Sequence, residues 1–514
     1  MRPIVLSLWL LPLAALAVSA ADDRPEMTPK RTDVAPFEYV PANVPFYPPS
    51  RKWGVVGEAI KRMQKPLAVA ESMKHYVYPV GFELRLFADE TLLGGKPMSM
   101  AWDERGRAWV AVSVDYPNDL QPEGKGHDRI LILEDTDGDG KADKVTVFAD
   151  KLSIPTSLAF ARGGVVVTQA PQTLFLKDTD GDDRADERRV LFTGWGTRDT
   201  HSGPNHLRYG LDNWLYGMCG YSGFRGTVGD RHLSFLQGMF RFKVEGRREK
   251  PREGEAPAEP GGAAGSAGAS PSRPGVTALE FLRSTSNNSW GFGFSEEGLV
   301  FGSTANGCPS VFLAVPNRYY EAVRGWSAGV LPMIARDNHF EPITDKVRQV
   351  DWHGGFTAGA GHALYTARTY PREYWNRTAF VSDPTGHLTA TFVLEPHGAD
   401  FRARYGWNLV AGDDEWIAPV FADVGPDGNV WVIDWYAFIV QHNPTPPGFA
   451  TGKGNAYETP LRDKAHGRIY RLVRSEAPPA TTTMSLAGAS PEQLVAVLRN
   501  DNMLWRTHAQ RLLV

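Results

Sequence analysis

The chain has 514 residues, with 55 basic against 59 acidic side chains, a formal net charge of -4 and a charged fraction of 22%. A balance this close to neutral excludes the basic footprint of a nucleic-acid binder and the polybasic face that docks on anionic membranes. Only two cysteines occur, Cys219 and Cys308. No disulfide framework is implied, two isolated buried thiols are expected, and no C-x-x-C-H run attaches a haem.

In chain order, "MRPIVLSLWLLPLAALAVSAADD" opens with one Arg, an apolar run from Ile4 to Val18, then Ser19, Ala20 and Ala21. This reads as an export signal over 1–21, with an N-terminal anchor as the competing reading. No later run approaches the ~20 apolar residues that a spanning helix needs. The mature chain is therefore expected to be exported, periplasmic or membrane-associated, without a transmembrane span. Residues 22–77 are proline-rich and aperiodic, an extended arm.

From 78 to 475 short apolar stretches alternate with turn residues, which predicts an all-β body. Six segments share one layout, a strand, a tight turn and a second strand: "SMAWDERGRAWVAV" (99–112), "SLAFARGGVVVTQ" (157–169), "HLRYGLDNWLYGM" (206–218), "WGFGFSEEGLVFGS" (290–303), "GHALYTARTYPREYWNRTAFVSD" (361–383) and "FADVGPDGNVWVID" (421–434). Repeated antiparallel units of roughly 50 to 70 residues predict a six-bladed β-propeller, whose closure removes open sheet edges. "FELRLFA" (82–88) and "GRIYRLV" (467–473) flank the array and are expected to share one blade; a β-sandwich is the alternative. Within this body 245–275 is dense in Ala, Gly, Pro and Glu, which predicts a disordered insertion.

Two near-identical acidic loops stand in neighbouring units. "DTDGDGKADK" carries Asp135, Asp137, Asp139 and Asp143; "DTDGDDRADE" carries Asp178, Asp180, Asp182 and Asp186. Alternating carboxylates suit a hard cation such as calcium. Thr146 and Arg189 stand where a helix-loop-helix calcium site has its bidentate Glu, so that class is excluded. The other reading is an Asx-rich turn that needs no ion. The loops are expected to be outer hairpins of successive blades. Beyond a 476–489 linker, "ASPEQLVAVLRNDNMLWRTHAQRLLV" has a helix start with capping-box spacing at Ser490, Pro491 and Gln493. Residues 490–514 read as the truncated start of a HEAT-like helical repeat, because a repeat pair alone cannot bury its apolar face.

"DTHSGPNHLRYGLDNWLYG" (199–217) places His201 and His206 just before an inner strand, near the expected channel mouth. A histidine there can take a proton from a hydroxyl. This unit resembles the histidine-bearing blade of the soluble quinoprotein glucose and sorbosone dehydrogenases, six-bladed propellers that bind pyrroloquinoline quinone and calcium. The resemblance implies a general base a few residues before the turn. His201 stands nine residues before Gly210, His206 only four, so His201 is the base of choice. It further implies cofactor contacts from Asn287, Asn288, His353 and His206, although no arginine precedes the two asparagines. "GPNHLRYGLDNWLYG", "GFGFSEEGLVFGSTANG" and "EDTDGDGKAD" are similar to signatures of the membrane-bound dehydrogenase-type proteins of planctomycetes and their relatives. That implies an exported oxidoreductase acting on a sugar or other alcohol, with electrons passing to a c-type cytochrome. A non-catalytic propeller that binds polysaccharide or a partner protein is the alternative.

Overall fold

A computed structural model describes residues 24–47, 59–247, 273–348, 354–476 and 484–514. The export-signal segment, most of the 245–275 insertion and His353 lie outside the described residues. Each hairpin unit becomes the two inner strands of one antiparallel sheet. In chain order these pairs are Lys96–Trp102 with Ala108–Ser113, Ser157–Ala161 with Gly164–Gln169, Pro204–Tyr209 with Leu215–Cys219, Ser289–Phe294 with Val300–Thr304, Ala360–Leu364 with Thr378–Asp383, and Pro419–Val424 with Val430–Asp434. They define blades 1 to 6 of a six-bladed propeller. The inner strands alternate apolar residues within tight turns, so each sheet presents two apolar faces to its neighbours. At the junction of blades 6 and 1, Trp431 meets Phe87 and Trp102 edge-on at 4.5 and 5.5 Å.

The ring closes where the sequence predicts. Phe82–Ala88 pairs antiparallel with Arg468–Arg474 as the outermost strand of blade 6. Arg468, fully buried, pins this junction: its guanidinium donates to Glu90 and to the Leu67 carbonyl at 2.9 Å, and lies 3.4 Å from the Tyr436 ring centre. The arm is more than an extended tail. Tyr39–Pro41 pairs with Arg62–Gln64, and Tyr76–Val77 adds a fifth strand to blade 5. Blade 4 has three strands. The insertion leaves from the outer hairpin of blade 3, whose strands stay paired out to Arg247 and Arg273, so ordered backbone reaches into the edges of the 245–275 segment. Both cysteines are buried and free.

The acidic loops are the outer hairpins of blades 1 and 2, and they match bond for bond. Asp135 accepts from the Gly138 and Gly140 amides at 2.7 and 2.8 Å; Asp178 accepts from those of Gly181 and Asp183 at 2.6 and 2.8 Å. Asp143 accepts from Thr136, and Asp186 from Thr179. Each loop hooks the preceding blade. Ala142 N donates to Phe87 O and Ala185 N to Phe148 O, both at 2.8 Å. Arg471 grips the Gly140 carbonyl and Arg107 grips Asp183. The loop is written twice because one blade-to-blade latch is used twice.

The tail forms two helices, Pro491–Val497 and Met503–Leu513. The capping box is present: Ser490 N donates to Gln493 Oε1 at 2.8 Å, and Gln493 N to Ser490 Oγ at 3.3 Å. The pair does not stand alone, since its second helix buries against the propeller. Met503, Trp505, His508 and Ala509 are buried, and the second helix lies across one end of the propeller channel. There Trp505 Nε1 donates to Pro426 O at 3.0 Å, Gln510 to Leu211 O at 2.9 Å, Arg506 to Glu296 and Arg511 to Glu104, both at 2.8 Å. These partners sit on the inner-hairpin turns of blades 6, 3, 4 and 1.

Candidate functional site

The starts of the inner strands surround the other, open end of the channel. There a cavity with about 850 Å³ of empty space, mouth included, is lined by Met98, His201, Asn288, Trp290, Trp435 and His442 among others. His201 stands on the turn that enters blade 3. Asp199, two residues earlier, accepts from the His201 amide at 3.2 Å, and the same carboxylate pairs with His201 Nδ1. The second oxygen of Asp199 accepts from Asn443 at 3.1 Å and Asn455 at 2.9 Å. A carboxylate so held fixes the ring through Nδ1, leaving Nε2 outside this contact.

His442, Asn443 and Asn455 come from an irregular stretch between the second and third strands of blade 6. A buried cation ties down its base: Lys96 Nζ donates to Trp435 O at 2.8 Å and to Asp463 at 2.6 Å. Within the stretch, the His442 ring lies 4.1 Å from that of His201, centre to centre and nearly perpendicular. Its Nδ1 is 3.4 Å from the Tyr116 hydroxyl, and its buried Nε2 has no partner. Burial first, then the neighbouring His201, holds His442 well below the usual histidine range, so it is neutral at physiological pH.

Asn288, 2% exposed, reaches the cavity from blade 4, with Nδ2 3.4 Å from the His201 carbonyl and Oδ1 without a partner. Gly220 makes room for it: a Cβ there would stand 1.8 Å from Asn288 Oδ1. Thus His201 and Asn288 meet in one cavity. Asn287 is not among its lining residues; its Oδ1 accepts from the Asn288 amide at 2.6 Å.

His206 requires a correction. It lines the cavity at the opposite end, beneath the C-terminal helix. The inner strand of blade 3 is irregular between Asn205 and Arg208, and His206 adopts φ 50° there. Such an irregularity re-aims a side chain. Of the metal candidates, Asp135, Asp137 and Asp143 converge, as do Asp178, Asp180 and Asp186. Asp139 and Asp182 instead accept from the amides of Lys141 and Arg184, at 2.7 and 2.8 Å.

Sequence reasoning missed Asp199, Asn443 and His442. The spacing Asp-x-His was a usable signal, since a carboxylate two residues ahead readily caps the intervening turn. For His442 no local pattern existed.

Pyrroloquinoline quinone is a flat tricarboxylate. Trp290, Trp435, Tyr116 and Tyr221 offer rings around the cavity, but no Lys or Arg is among its described lining residues. Its unpartnered buried atoms, Asn288 Oδ1 and His442 Nε2, can accept but do not supply positive charge. This donor set does not suit three carboxylates.

Residues 68–476 match the DUF7133 family, described as a domain of unknown function. The chain belongs to that family. No curated protein matches it. Among solved structures, it is similar to a glucose dehydrogenase-type oxidoreductase from Thermus thermophilus, at 17% identity over 76% of this chain and 100% of that one, with TM-score 0.41. Another is the PQQ-bound aldose sugar dehydrogenase of Streptomyces coelicolor, at 13% identity over 77% and 99%, TM-score 0.35. A third is the apo soluble aldose sugar dehydrogenase of Escherichia coli, at 13% identity over 76% and 99%, TM-score 0.36. These likenesses are weak, and nothing about the site follows from them. No helix among the described residues is long and apolar enough to cross a membrane.

Proposed function

We propose that this propeller is an exported oxidoreductase of the planctomycete membrane-bound dehydrogenase type, acting on a sugar or other alcohol at the open end of its channel. The observation that supports it is the His201–Asp199 pair facing an aromatic-lined cavity. A substrate hydroxyl gives its proton to His201 Nε2; the adjacent carboxylate stabilises the resulting imidazolium. Asn288 orients the hydroxyl, and the rings of Trp290 and Trp435 present faces for a sugar. The hydride would need a bound two-electron acceptor, with a c-type cytochrome as the downstream partner. The lining described above holds no cation for pyrroloquinoline quinone, and that same fact favours the second reading, a propeller that binds polysaccharide or a partner protein without chemistry.

One experiment separates them. Purified protein is assayed on a panel of sugars and alcohols with an artificial electron acceptor, with and without added pyrroloquinoline quinone and calcium. Turnover that disappears in His201→Ala supports the enzyme. Saturable sugar binding without turnover under any condition supports the binding module.

The two acidic loops we assign a structural role as blade latches, with calcium as the ion that relieves repulsion among their exposed carboxylates. Chelator is expected to lower the Tm, and Asp137→Ala to abolish that sensitivity. Identical melting with and without chelator would leave the loops as ion-free turns.

A further inference from the structure

We infer that Asp199, His201 and His442 form a binding site for one divalent transition-metal ion of the zinc or cobalt class at the open end of the channel. One ligand atom from each residue lies within 4.8 Å of the other two. Ligands about 2.0–2.2 Å from a tetrahedral ion are themselves roughly 3.4 Å apart, so side-chain adjustments of about an ångström complete the set. The site joins segments far apart in sequence, and their convergence at one cavity is a product of the fold.

A second observation points to a ligand. His442 is only 6% exposed, and its Nε2 has no hydrogen-bond partner. A buried polar atom left without a partner is destabilising, and a metal bond satisfies it. The surroundings are those that ligands need: the outer partners of ligating groups fix their orientation and basicity. Tyr116 stands at His442 Nδ1, which leaves Nε2 as the ligating nitrogen. Asn443 and Asn455 hold one oxygen of Asp199, and the other is turned to His201.

The donor types choose the ion. Two imidazoles and one carboxylate suit zinc, cobalt or iron(II), whereas calcium and magnesium prefer all-oxygen shells. This site is therefore distinct in chemistry from the acidic loops. Three protein ligands leave at least one coordination position directed at the cavity, the pattern of sites that exchange water or ligand rather than purely structural ones. The inference does not rest on the oxidoreductase reading. Ion and proton compete for His201, so a loaded chain has no base there, and added Zn2+ would inhibit a turnover that depends on it.

The test uses the full chain, stripped with chelator and dialysed against Co2+. Metal content and the visible d–d absorption of bound cobalt are read after desalting. One Co2+ per chain is expected, retained in Asp137→Ala and lost in His442→Gln, a substitution that keeps polarity and approximate size. Tyr116→Phe, which removes only the hydroxyl, should weaken Co2+ binding about 10–100-fold while its melting curve shows the fold intact. The assignment is overturned if stripped wild-type protein gives no d–d bands, or if His442→Gln binds Co2+ as tightly as wild type. Cobalt binding by a chain that shows no alcohol turnover when metal-free would uphold this site and remove the enzyme reading.

Discussion

The two ends of the channel each carry a histidine from one short stretch of blade 3, and they treat it in opposite ways. At the open end, His201 is tied to a carboxylate and lines a cavity open to solvent. At the closed end, His206 is buried and stacked on Phe421 with ring centres 5.8 Å apart; its Nδ1 is 3.1 Å from Asn205 Oδ1 and its Nε2 has no partner. Burial, with a smaller contribution from Arg208, drives its pKa down to about 3. One end sets its histidine beside a carboxylate at a cavity; the other keeps a neutral, buried ring. Partner and solvent, rather than spacing along the strand, decide what a histidine can do.

The largest expected effect would break this comparison outright. His201→Ala should cost a hundred- to ten-thousand-fold in alcohol turnover, the range for losing a general acid–base group. His206→Ala should leave turnover within a few-fold of wild type and act on the Tm instead. A greater loss of turnover in His206→Ala than in His201→Ala would reverse the assignment of the two ends.

The next effect concerns what closes the second end. Trp505 is buried between the helix and the turn at Pro426. Trp505→Ala should destabilise the protein by about 3 kcal/mol, read from chemical denaturation, and should open the His206 cavity to solvent. An unchanged unfolding midpoint would mean that the helix is an appendage and that the two ends differ less than the contacts imply.

The sequence was most informative where structure repeats. Strand–turn–strand units have period-two patterning and local turn chemistry, so all six inner hairpins, the shared closing blade and the Ser490 capping box were legible. The place of His201 and Asn288 at the channel mouth was also legible, because each sits just ahead of an inner strand. The rest depended on contacts with no local signature. His442 reaches His201 from an irregular stretch anchored by Lys96 and Asp463, and neither periodicity nor spacing encodes that. His206 was misplaced because a single irregularity at Asn205–Arg208 turns a side chain away from the expected position. The packing of the tail was not legible because its apolar residues bury against the propeller, a surface that no local pattern displays.

The smallest effect sharpens the comparison through pH. Two histidines line the closed-end cavity, His206 and His508, and burial lowers each to about 3. In the unfolded chain each binds a proton below its ordinary pKa of about 6.5. Between about 6.5 and 3 the unfolded state therefore holds more protons than the folded one, and stability falls as pH falls through that window. At pH 5 each such group costs at most about 2 kcal/mol relative to pH 8. Thermal melts from pH 8 to pH 5 should show this decline. His508→Gln, which cannot take up a proton, should lessen it by that group's share, while His206, His362, His387 and His442, all buried and lowered, keep the rest. If His508→Gln left the decline as steep as in the wild type, burial beneath the C-terminal helix would not contribute to it.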